Sequence, residues 1–511
     1  MAAAVIGLLV FLLGLCIGSF LNVVVYRLPR GLKISQPVWS FCPDCQTTLR
    51  WYDNIPIVSW LLLRARCRYC GKPISSQYPL VEAITGLAFV LTYFLLFVVH
   101  ARFVSVSEYG TIGVQPIWPR DAALLLAWLV LITVLIACSS MDLILYIIDT
   151  RATDVALFAG IVGYALWPAP AAFDERAASP GAAGAVAAAV ISVIMIWLSN
   201  RAHPGQDPKE SSPEENLVAP QPLTPTAADR AATVLAILLF IALAVWILFS
   251  MSGSSIGGMP SLQRYLVPAA LIAFFVAMVL TGGQSRPIDD ELHATLEAEA
   301  PEARRTALRE CAWLMPATIG GVIAYLLVQL VPAVGDLWAA TISWQPFGDF
   351  APLGGIAFSL HGAVVAAAAG WFIRIFFTFA FGREAFGTGD IYILAAAGAV
   401  GGWDIALLGF LLSVPIALAG WILSLILKRT GMIPFGPPLA IGFLAALWLN
   451  RPAAVIAENY RRVLEEAWTD RRGVVLMGIG LLLVVLPVSI IIARLIRRLI
   501  EPQTDQNQSQ E

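Results

Sequence analysis

Charged residues are scarce in this 511-residue chain, where Asp, Glu, Lys and Arg occupy only 13% of positions. Soluble globular domains carry about a quarter charged residues. The formal net charge is −2, so the chain lacks the basic excess that would draw it to nucleic acid. Hydrophobic residues make up 59% of the chain and the mean hydropathy is +0.79. This composition excludes a soluble enzyme, a disordered chain and a nucleic-acid-binding protein, and it predicts an all-α polytopic membrane protein.

About thirteen apolar stretches reach or approach the ~20 residues that a membrane-spanning helix needs. They lie near 3–26, 81–100, 121–141, 153–168, 183–199, 231–250, 264–282, 311–333, 356–380, 389–402, 404–427, 435–450 and 473–495. No basic residue precedes the first stretch, which is longer than the core of a typical signal peptide. We therefore expect it to be the first membrane helix rather than a cleaved signal.

The distribution of charge orients these spans. Residues 27–80 carry eight basic and two acidic residues, which places this loop in the cytoplasm by the positive-inside rule. Alternating from there, the polar loops 200–229 and 283–309 are also cytoplasmic. The first is rich in Pro, Glu and Ser and is predicted to be disordered, whereas the second half of the other looks helical.

Cysteine is used in a pattern that excludes a disulfide scaffold. Two C-x-x-C turns, C-P-D-C and C-R-Y-C, fall in the basic loop, and the other three cysteines lie in or beside apolar stretches. Two such turns brought together give a tetrahedral four-thiolate site for zinc, with no open coordination position and hence a structural role. Two redox pairs or unliganded thiols are the alternative. The predicted ligands are Cys42, Cys45, Cys67 and Cys70.

Two aspartates stand at the predicted cytoplasmic edges of spans. Asp142 follows the span at 121–141, and Asp390 follows Gly387 and Gly389 in the motif G-T-G-D. An acid at the edge of an apolar span is costly unless it is paired or functional, although for either one alone an interfacial charge is the plainer interpretation. Two neighbouring carboxyl groups cannot both ionise easily, so one could activate water while the other protonates a peptide carbonyl. The pair predicts peptide hydrolysis.

Several long motifs, in order along the chain, resemble those of one family. The chain is similar to the type IV prepilin peptidases, which are bifunctional leader peptidases and N-methyltransferases of the G-x-G-D class of membrane aspartic proteases. The resemblance covers roughly 1–168 and 356–450. The motifs that carry it are G-S-F-L-N-V-V-V-Y-R-L-P (18–29), the two C-x-x-C turns, W-Y-D-N-I-P-I-V-S-W (51–60), I-S-S-Q-Y-P-L-V-E-A-I-T-G (74–86), G-T-G-D-I-Y-I-L-A-A-A-G-A-V-G-G-W (387–403) and I-P-F-G-P-P-L-A (433–440).

The resemblance implies a function and roles for particular residues. It makes Asp142 and Asp390 catalytic, with Gly387, Gly389 and Asp149 as supporting positions, and it associates loop 27–80 with methyl transfer from S-adenosylmethionine. Glu82 would then belong to a substrate or methyltransferase site, or be an interfacial charge. The substrates would be prepilins or type II secretion pseudopilins, cut on the cytoplasmic side of the bacterial inner membrane after a glycine that precedes an apolar helix. Membrane lipid is the other expected partner.

The chain departs from the family pattern in three places. The family usually has Pro-Asp shortly after the first catalytic aspartate, whereas this chain has Ile148-Asp149-Thr150, so Asp149 competes with Asp142 for that role. A long insertion separates Asp142 from Asp390, and an additional span follows the core. The expected organisation is a first helix (1–26), the cysteine loop (27–80), helices with the first aspartate (81–168), inserted hairpins (169–355), helices with G-T-G-D (356–450), and an interfacial helix, extra span and polar tail (451–511).

Other interpretations remain open at this level. The chain could be a non-catalytic component of a pilus or secretion assembly derived from such a peptidase, or a protease related to signal-peptide peptidases, which would not need the cysteine loop. Arg374, near the end of a span, is expected to snorkel to the cytoplasmic interface.

Overall fold

The computed structural model describes residues 2–36, 39–98, 103–107, 110–114, 121–167, 177–202, 302–346, 351–384, 386–426 and 434–448, with isolated positions between 234 and 275. Its elements in chain order are α1 (Ala2–Arg27), α2 (Val58–Leu62), α3 (Gln77–Tyr93), β1 (Phe103–Ser107), β2 (Gly110–Val114), α4 (Ala122–Leu145), α5 (Thr150–Ala165), α6 (Pro180–Ala202), α7 (Ala303–Leu330), α8 (Pro332–Ile342), α9 (Pro352–Phe381), α10 (Thr388–Gly401), α11 (Trp403–Ile426) and α12 (Gly436–Trp448).

Seven of the described helices are long and apolar enough to cross a membrane, which confirms a multi-pass helical protein. They are α1, α3 with its continuation to Val98, α4, α6, α7, α9 and α11. Three further predicted spans correspond to the shorter helices α5, α10 and α12. The stretches at 231–250, 264–282 and 473–495 lie mostly or wholly outside the described residues, so the total of thirteen stays a prediction.

Two local features were not expected from the apolar pattern. An antiparallel hairpin pairs β1 with β2, where F-V-S-V-S alternates in the way that strands do. The span predicted to run to residue 333 ends at Leu330, and α8 begins at Pro332 after an extended Val331. Proline lacks an N–H and disfavours a helical residue before it, so the chain turns there instead of continuing.

Helices α1 and α3 pack along a stripe of small residues. A Cβ on Gly14 would lie 2.7 Å from the Gly86 Cα, and one on Gly18 would lie 2.6 Å from the Glu82 Cα, so only glycine allows this approach. The Asn22 side-chain amide, in the same helix, donates to the Tyr78 carbonyl at 3.2 Å. Close contact through small residues, reinforced by an interhelical hydrogen bond, is the usual way in which helices associate in a bilayer.

Helix α10 is the centre of the bundle and packs against α4, α5, α9, α11 and α12. The Ser359 hydroxyl in α9 donates to the Ala399 carbonyl at 2.9 Å, and the Tyr164 hydroxyl in α5 donates to the Val400 carbonyl at 2.8 Å. Both acceptors belong to the last turn of α10, whose carbonyls have no partner within the helix. These contacts fix the end of α10 opposite the G-T-G-D motif.

The predicted insertion is represented by α6, α7 and α8. Helices α6 and α7 pack on each other and on α9, and α9 also contacts α5 and α10 directly. Gly184 and Gly321 face each other across the α6–α7 contact, where a Cβ on either would lie within 2.9 Å of the other's carbonyl oxygen. The inserted pair is therefore attached to one side of the bundle through α9.

Replacing Gly18 with valine is expected to destabilise the bundle, because its side chain would meet the α3 backbone at a distance that real side chains do not adopt. Overpacking of this kind costs about 1–3 kcal/mol. Thermal unfolding of the purified protein in detergent measures the effect. Leu12→Val, at an exposed position of the same helix, is the control. An unchanged unfolding midpoint for Gly18→Val would contradict the packing.

Candidate active site

Asp142 lies in the last turn of α4 and is buried. Its carboxylate accepts a hydrogen bond from the Gly436 N–H, the first residue of α12, with 2.7 Å between N and Oδ2. A Cβ on Gly436 would lie only 2.6 Å from the same oxygen, so glycine is needed for this approach. The N-terminus of a helix offers free N–H groups and a positive partial charge, which favour an anion. Helix α12 thus gives the buried carboxylate a backbone donor.

Asp390 lies in the first turn of α10 and is also buried. Within the described part of the chain, its Oδ1 has no hydrogen-bond partner. The preceding glycines make room: a Cβ on Gly387 would lie 3.3 Å from Asp390 Oδ2, and one on Gly389 would lie 2.7 Å from the Ile148 Cβ. The Asp390 carboxyl also interacts electrostatically with Asp142. The structure therefore brings Asp142, Asp390, Gly387 and Gly389 to one place.

Three phenylalanines join the two loops that carry this site. Phe386 precedes the G-T-G-D motif, Phe435 precedes Gly436, and Phe410 projects from α11. Their ring centroids are 5.7 to 6.2 Å apart, and all three pairs meet edge to face. Edge-to-face pairs of this kind contribute about 0.5–1.5 kcal/mol each beyond their burial. The backbone around Asp390 is thereby fixed relative to the donor of Asp142.

Asp149 has a different role from the two buried acids. It is the N-cap of α5 and accepts the Arg151 N–H at 3.0 Å, while its other oxygen pairs with the Arg151 guanidinium at 2.6 Å. The same guanidinium donates to the Leu28 carbonyl at the end of α1. The carboxylate that could replace Asp142 is therefore engaged in capping, and its partner ties the α4–α5 loop to the start of loop 27–80. Asp142, Asp390 and the cysteine loop therefore lie at one end of the bundle.

The four predicted metal ligands form one cluster. The sulfur atoms of Cys42, Cys45, Cys67 and Cys70 all lie within 4.8 Å of one another. A zinc ion with Zn–S bonds of ~2.3 Å would need sulfur atoms about 3.8 Å apart, and Cys42 and Cys70 are separated by 4.0 Å. Each C-x-x-C turn is closed by an isolated antiparallel bridge. The donor set and its spacing fit a tetrahedral metal site.

The chemistry around the cluster favours a thiolate at one corner. Hydrogen bonds from the Thr47 hydroxyl and backbone N–H lower the pKa of Cys45 to about 6, whereas burial raises the pKa of Cys42 to about 12. A metal binds the deprotonated thiol, so a bound ion would remove the desolvation cost that now falls on Cys42.

Two acids hold the cysteine loop in place, Asp53 from within the loop and Glu82 from α3. The Asp53 carboxylate accepts from Arg68 Nε at 2.7 Å and from the Tyr69 hydroxyl at 2.9 Å. Although burial opposes it, these donors hold the pKa of Asp53 below its usual value. Glu82, in α3, accepts the Ile57 N–H at 2.7 Å. Ile57 itself has a φ of +62°, which is unfavourable for a β-branched residue. Glu82 therefore lies at the junction of loop and helix, apart from the contacts of the aspartates.

Two residues next to the site, Gly436 and Arg374, make contacts that the sequence pattern did not reveal. Gly436 was visible only as part of the matched I-P-F-G-P-P motif, and its contact with Asp142 depends on the meeting of α4 and α12. Arg374 was expected to snorkel to the interface, and the structure shows its side chain 7% exposed and ion-paired with Glu310 and Glu384. A search for acids that could approach one basic residue would have pointed to this cluster.

Comparisons with known proteins agree with the resemblance drawn from the motifs. Residues 12–96 match a family model described as the bacterial peptidase A24 N-terminal domain. The chain is 42% identical over 151 residues to the prepilin leader peptidase/N-methyltransferase of Myxococcus xanthus (strain DK1622), covering 30% of this chain and 38% of the relative. For the proteins of the same name from Klebsiella pneumoniae and Aeromonas hydrophila, identity is 47% over 96 residues (18% and 42%) and 36% over 177 residues (30% and 53%). No solved structure matches.

The resemblance to prepilin peptidases is thus confirmed over part of the chain. The chain spans between 38% and 53% of the length of these three relatives. The family model covers α1 from residue 12 onward, the cysteine loop and Glu82, and it ends before Asp142 and Asp390. The assignment of the two aspartates to the candidate site therefore rests on the geometry described above and on the motifs around them.

Asp149→Ala is expected to destabilise the protein by about 1 kcal/mol, because it removes the N-cap of α5 and leaves the Arg151 guanidinium without its carboxylate. Thermal unfolding in detergent measures this loss. Asp154→Ala, at an exposed position of the same helix, is the matched control. Equal unfolding midpoints for the two variants would show that the cap contributes nothing measurable.

Proposed function

We propose that this protein is a membrane aspartic endopeptidase that removes the leader peptide of prepilins or pseudopilins and methylates the new N-terminus. The observation that carries the proposal is that Asp142 and Asp390 are both buried at helix ends and close enough to interact electrostatically. The named relatives, all prepilin leader peptidase/N-methyltransferases, give the substrate class and the second activity.

The different surroundings of the two carboxyl groups favour different roles. Asp142 accepts a backbone N–H, which stabilises its ionised form, so it is the base that takes a proton from water. Asp390 has a buried oxygen without a partner in the described residues, so it is the acid that donates a proton to the peptide carbonyl. Water adds to the carbonyl carbon to give a diol. As the C–N bond breaks, the leaving amine takes the proton now held by Asp142, and Asp390 regains a proton from a diol hydroxyl.

The glycines of the site suit an extended substrate. Gly387 and Gly436 leave space beside the carboxyl groups of Asp390 and Asp142, and a side chain at either position would occupy it. A peptide bond must reach both carboxyl groups at once, which requires its backbone to approach without obstruction. A chain that leaves an apolar helix as an extended strand at the membrane edge has this form.

The location of the site follows from the basic loop. Residues 27–80 carry eight basic and two acidic residues, which orients the loop toward the cytoplasm. Arg151 connects the end of α1, where the loop begins, to the segment beside Asp142. We therefore place the site at the cytoplasmic face of the bacterial inner membrane. A substrate held there presents a cytoplasmic leader followed by an apolar helix in the lipid.

The proposals of methyl transfer and of a bound zinc rest on different observations. S-adenosylmethionine would be the methyl donor, by the names of the relatives. No site for it is identified among the described residues of loop 27–80. Zinc would be held by Cys42, Cys45, Cys67 and Cys70, whose spacing fits four thiolate ligands and leaves no open position. Its role is to stabilise a loop too small for a core of its own.

Asp142→Asn and Asp390→Asn should each lower cleavage roughly 10³-fold or more, because either change removes a proton-transfer group. Cleavage of a full prepilin by the purified enzyme in lipid vesicles measures the loss. Asp149→Asn is the control: asparagine keeps a helix cap, so cleavage should stay near that of the unchanged enzyme. Loss of cleavage in Asp149→Asn, with retention in Asp142→Asn, would transfer the role to Asp149. Full cleavage by either buried-site variant would contradict the pair.

Purified protein should contain about one zinc per chain, and Cys67→Ser should lower the zinc content because three thiolates hold the ion less tightly. Elemental analysis of the protein after dialysis provides the measurement. Cys16→Ser, in α1 and remote from the cluster, is the matched control and should retain the metal. Protein that cleaves normally while lacking any metal would contradict a structural zinc.

A further inference from the structure

Arg374 is a buried cation in α9 whose planar fork of donors is used in three directions. Its Nε lies 3.1 Å from both carboxylate oxygens of Glu310, and its Nη2 lies 2.9 Å from one of them. Its Nη1 donates to Glu384 and, at 2.6 Å, to the carbonyl oxygen of Phe386. Arginine suits such a position because its rigid fork can satisfy several acceptors at once.

The three acceptors come from two different parts of the chain. Glu310 belongs to α7, which lies between the two regions that carry the family resemblance. Glu384 and Phe386 belong to the connection between α9 and α10. The inserted helix therefore reaches the loop before the G-T-G-D motif through one guanidinium. A single buried charge with partners on both sides couples their positions, because the loss of either partner leaves the charge undercompensated.

A second contact places α7 over the same connection. Helix α9 ends in a left-handed turn at Gly382, with φ of +70°, and a Cβ at this position would lie 3.1 Å from the guanidinium of Arg304. Arg304 is in the first turn of α7, six residues before Glu310. The first part of α7 thus contacts both the start of the connection, at Gly382, and the arginine that binds its end, at Phe386.

Phe386 transmits this restraint to the aspartates. Its carbonyl oxygen is held by Arg374, while its ring packs with Phe410 and Phe435. The next residue, Gly387, is the N-cap of α10, and Asp390 follows in the first turn. On the other side of the ring cluster, Phe435 precedes Gly436, the donor to Asp142. The relative positions of the two carboxyl groups therefore depend on where Phe386 is held.

We propose that Glu310 and Arg374 are positioning residues, through which the inserted helix α7 fixes the G-T-G-D loop for peptide hydrolysis. The proposal rests on the proposed function for its kinetic part. In this proposal the inserted helix α7 supports the G-T-G-D loop, and the Arg374–Glu310 ion pair is the contact through which it does so. Misplacement of a catalytic group by about 1 Å can lower a rate roughly 100-fold, so a loosened loop should reduce kcat far more than it changes KM.

The test compares Glu310→Gln with Glu302→Gln in the full-length protein in lipid vesicles. Both variants neutralise one acid of the same helical segment, but Glu302 is exposed and has no ion pair among the described residues. Glu310→Gln should lower kcat for prepilin cleavage by roughly 10- to 100-fold with little change in KM. Glu310→Asp, which keeps the charge, should recover part of the loss, and Glu302→Gln should match the unchanged enzyme. Arg374→Lys keeps the charge but not the planar fork, so its kcat should fall as far as in Glu310→Gln or less far.

Hydrogen exchange gives a readout that does not need activity. In Glu310→Gln, exchange should accelerate in residues 382–390 and stay unchanged in α1 and α3. Unchanged kcat and unchanged exchange at 382–390 would overturn the proposal, as would equally faster exchange throughout the bundle, which would indicate a general structural role. If the unchanged enzyme cut no prepilin, the proposed function would fail, and the exchange result alone would decide whether α7 holds the loop.

Discussion

The burial of the Asp142 carboxylate among apolar helices is the constraint on which the rest of the site depends. A buried ionised group without partners is strongly disfavoured, and no side-chain donor to this carboxylate is found in the described residues. The donor is instead the first N–H of α12, which can approach only because Gly436 lacks a side chain. Helix α12 must therefore begin at this point and pack on α4 and α11. The ring cluster of Phe386, Phe410 and Phe435 then sets the position of the second acid relative to the first.

Close packing makes this arrangement of helix ends possible. Apolar side chains gain little from leaving lipid, so helices in a bilayer associate through small residues and interhelical hydrogen bonds. The α1–α3 contact shows this at Gly14 and Gly18, and α10 shows it where Ser359 and Tyr164 donate to its last carbonyls. Both devices restrict sliding and rotation of one helix against another. A polar group placed at a helix end, as Asp390 is, is thereby held at a defined depth.

The sequence predicted what is local and left out what depends on how helices meet. Hydropathy located the seven long spans, and C-x-x-C spacing predicted the cluster of four cysteine sulfurs. Motif order singled out Asp142 and Asp390, whose catalytic role stays a prediction. The partner of Asp142 could not be derived, because Gly436 is distant in the chain and has no side chain that would mark it as a donor. Asp149 was ambiguous for a related reason: capping of α5 depends on where that helix begins. Arg374 was assigned to the interface because its acidic partner, Glu310, lies in a segment outside the resemblance.

The predicted insertion lies at a place in the fold that the core could accommodate. Helices α5 and α9 flank the inserted segment in sequence, yet they contact each other directly and both contact α10. The chain therefore leaves the core and returns to nearly the same place, so the helices that carry the aspartates keep their neighbours. Such a departure leaves the added helices free to be attached on one side, and α6 and α7 are attached through α9. Because α9 leads directly into the G-T-G-D loop, any helix attached to that end of α9 can restrain the loop. The ion pair between Arg374 and Glu310 lies at this end, where a single contact links α7 to the helix that leads into the G-T-G-D loop.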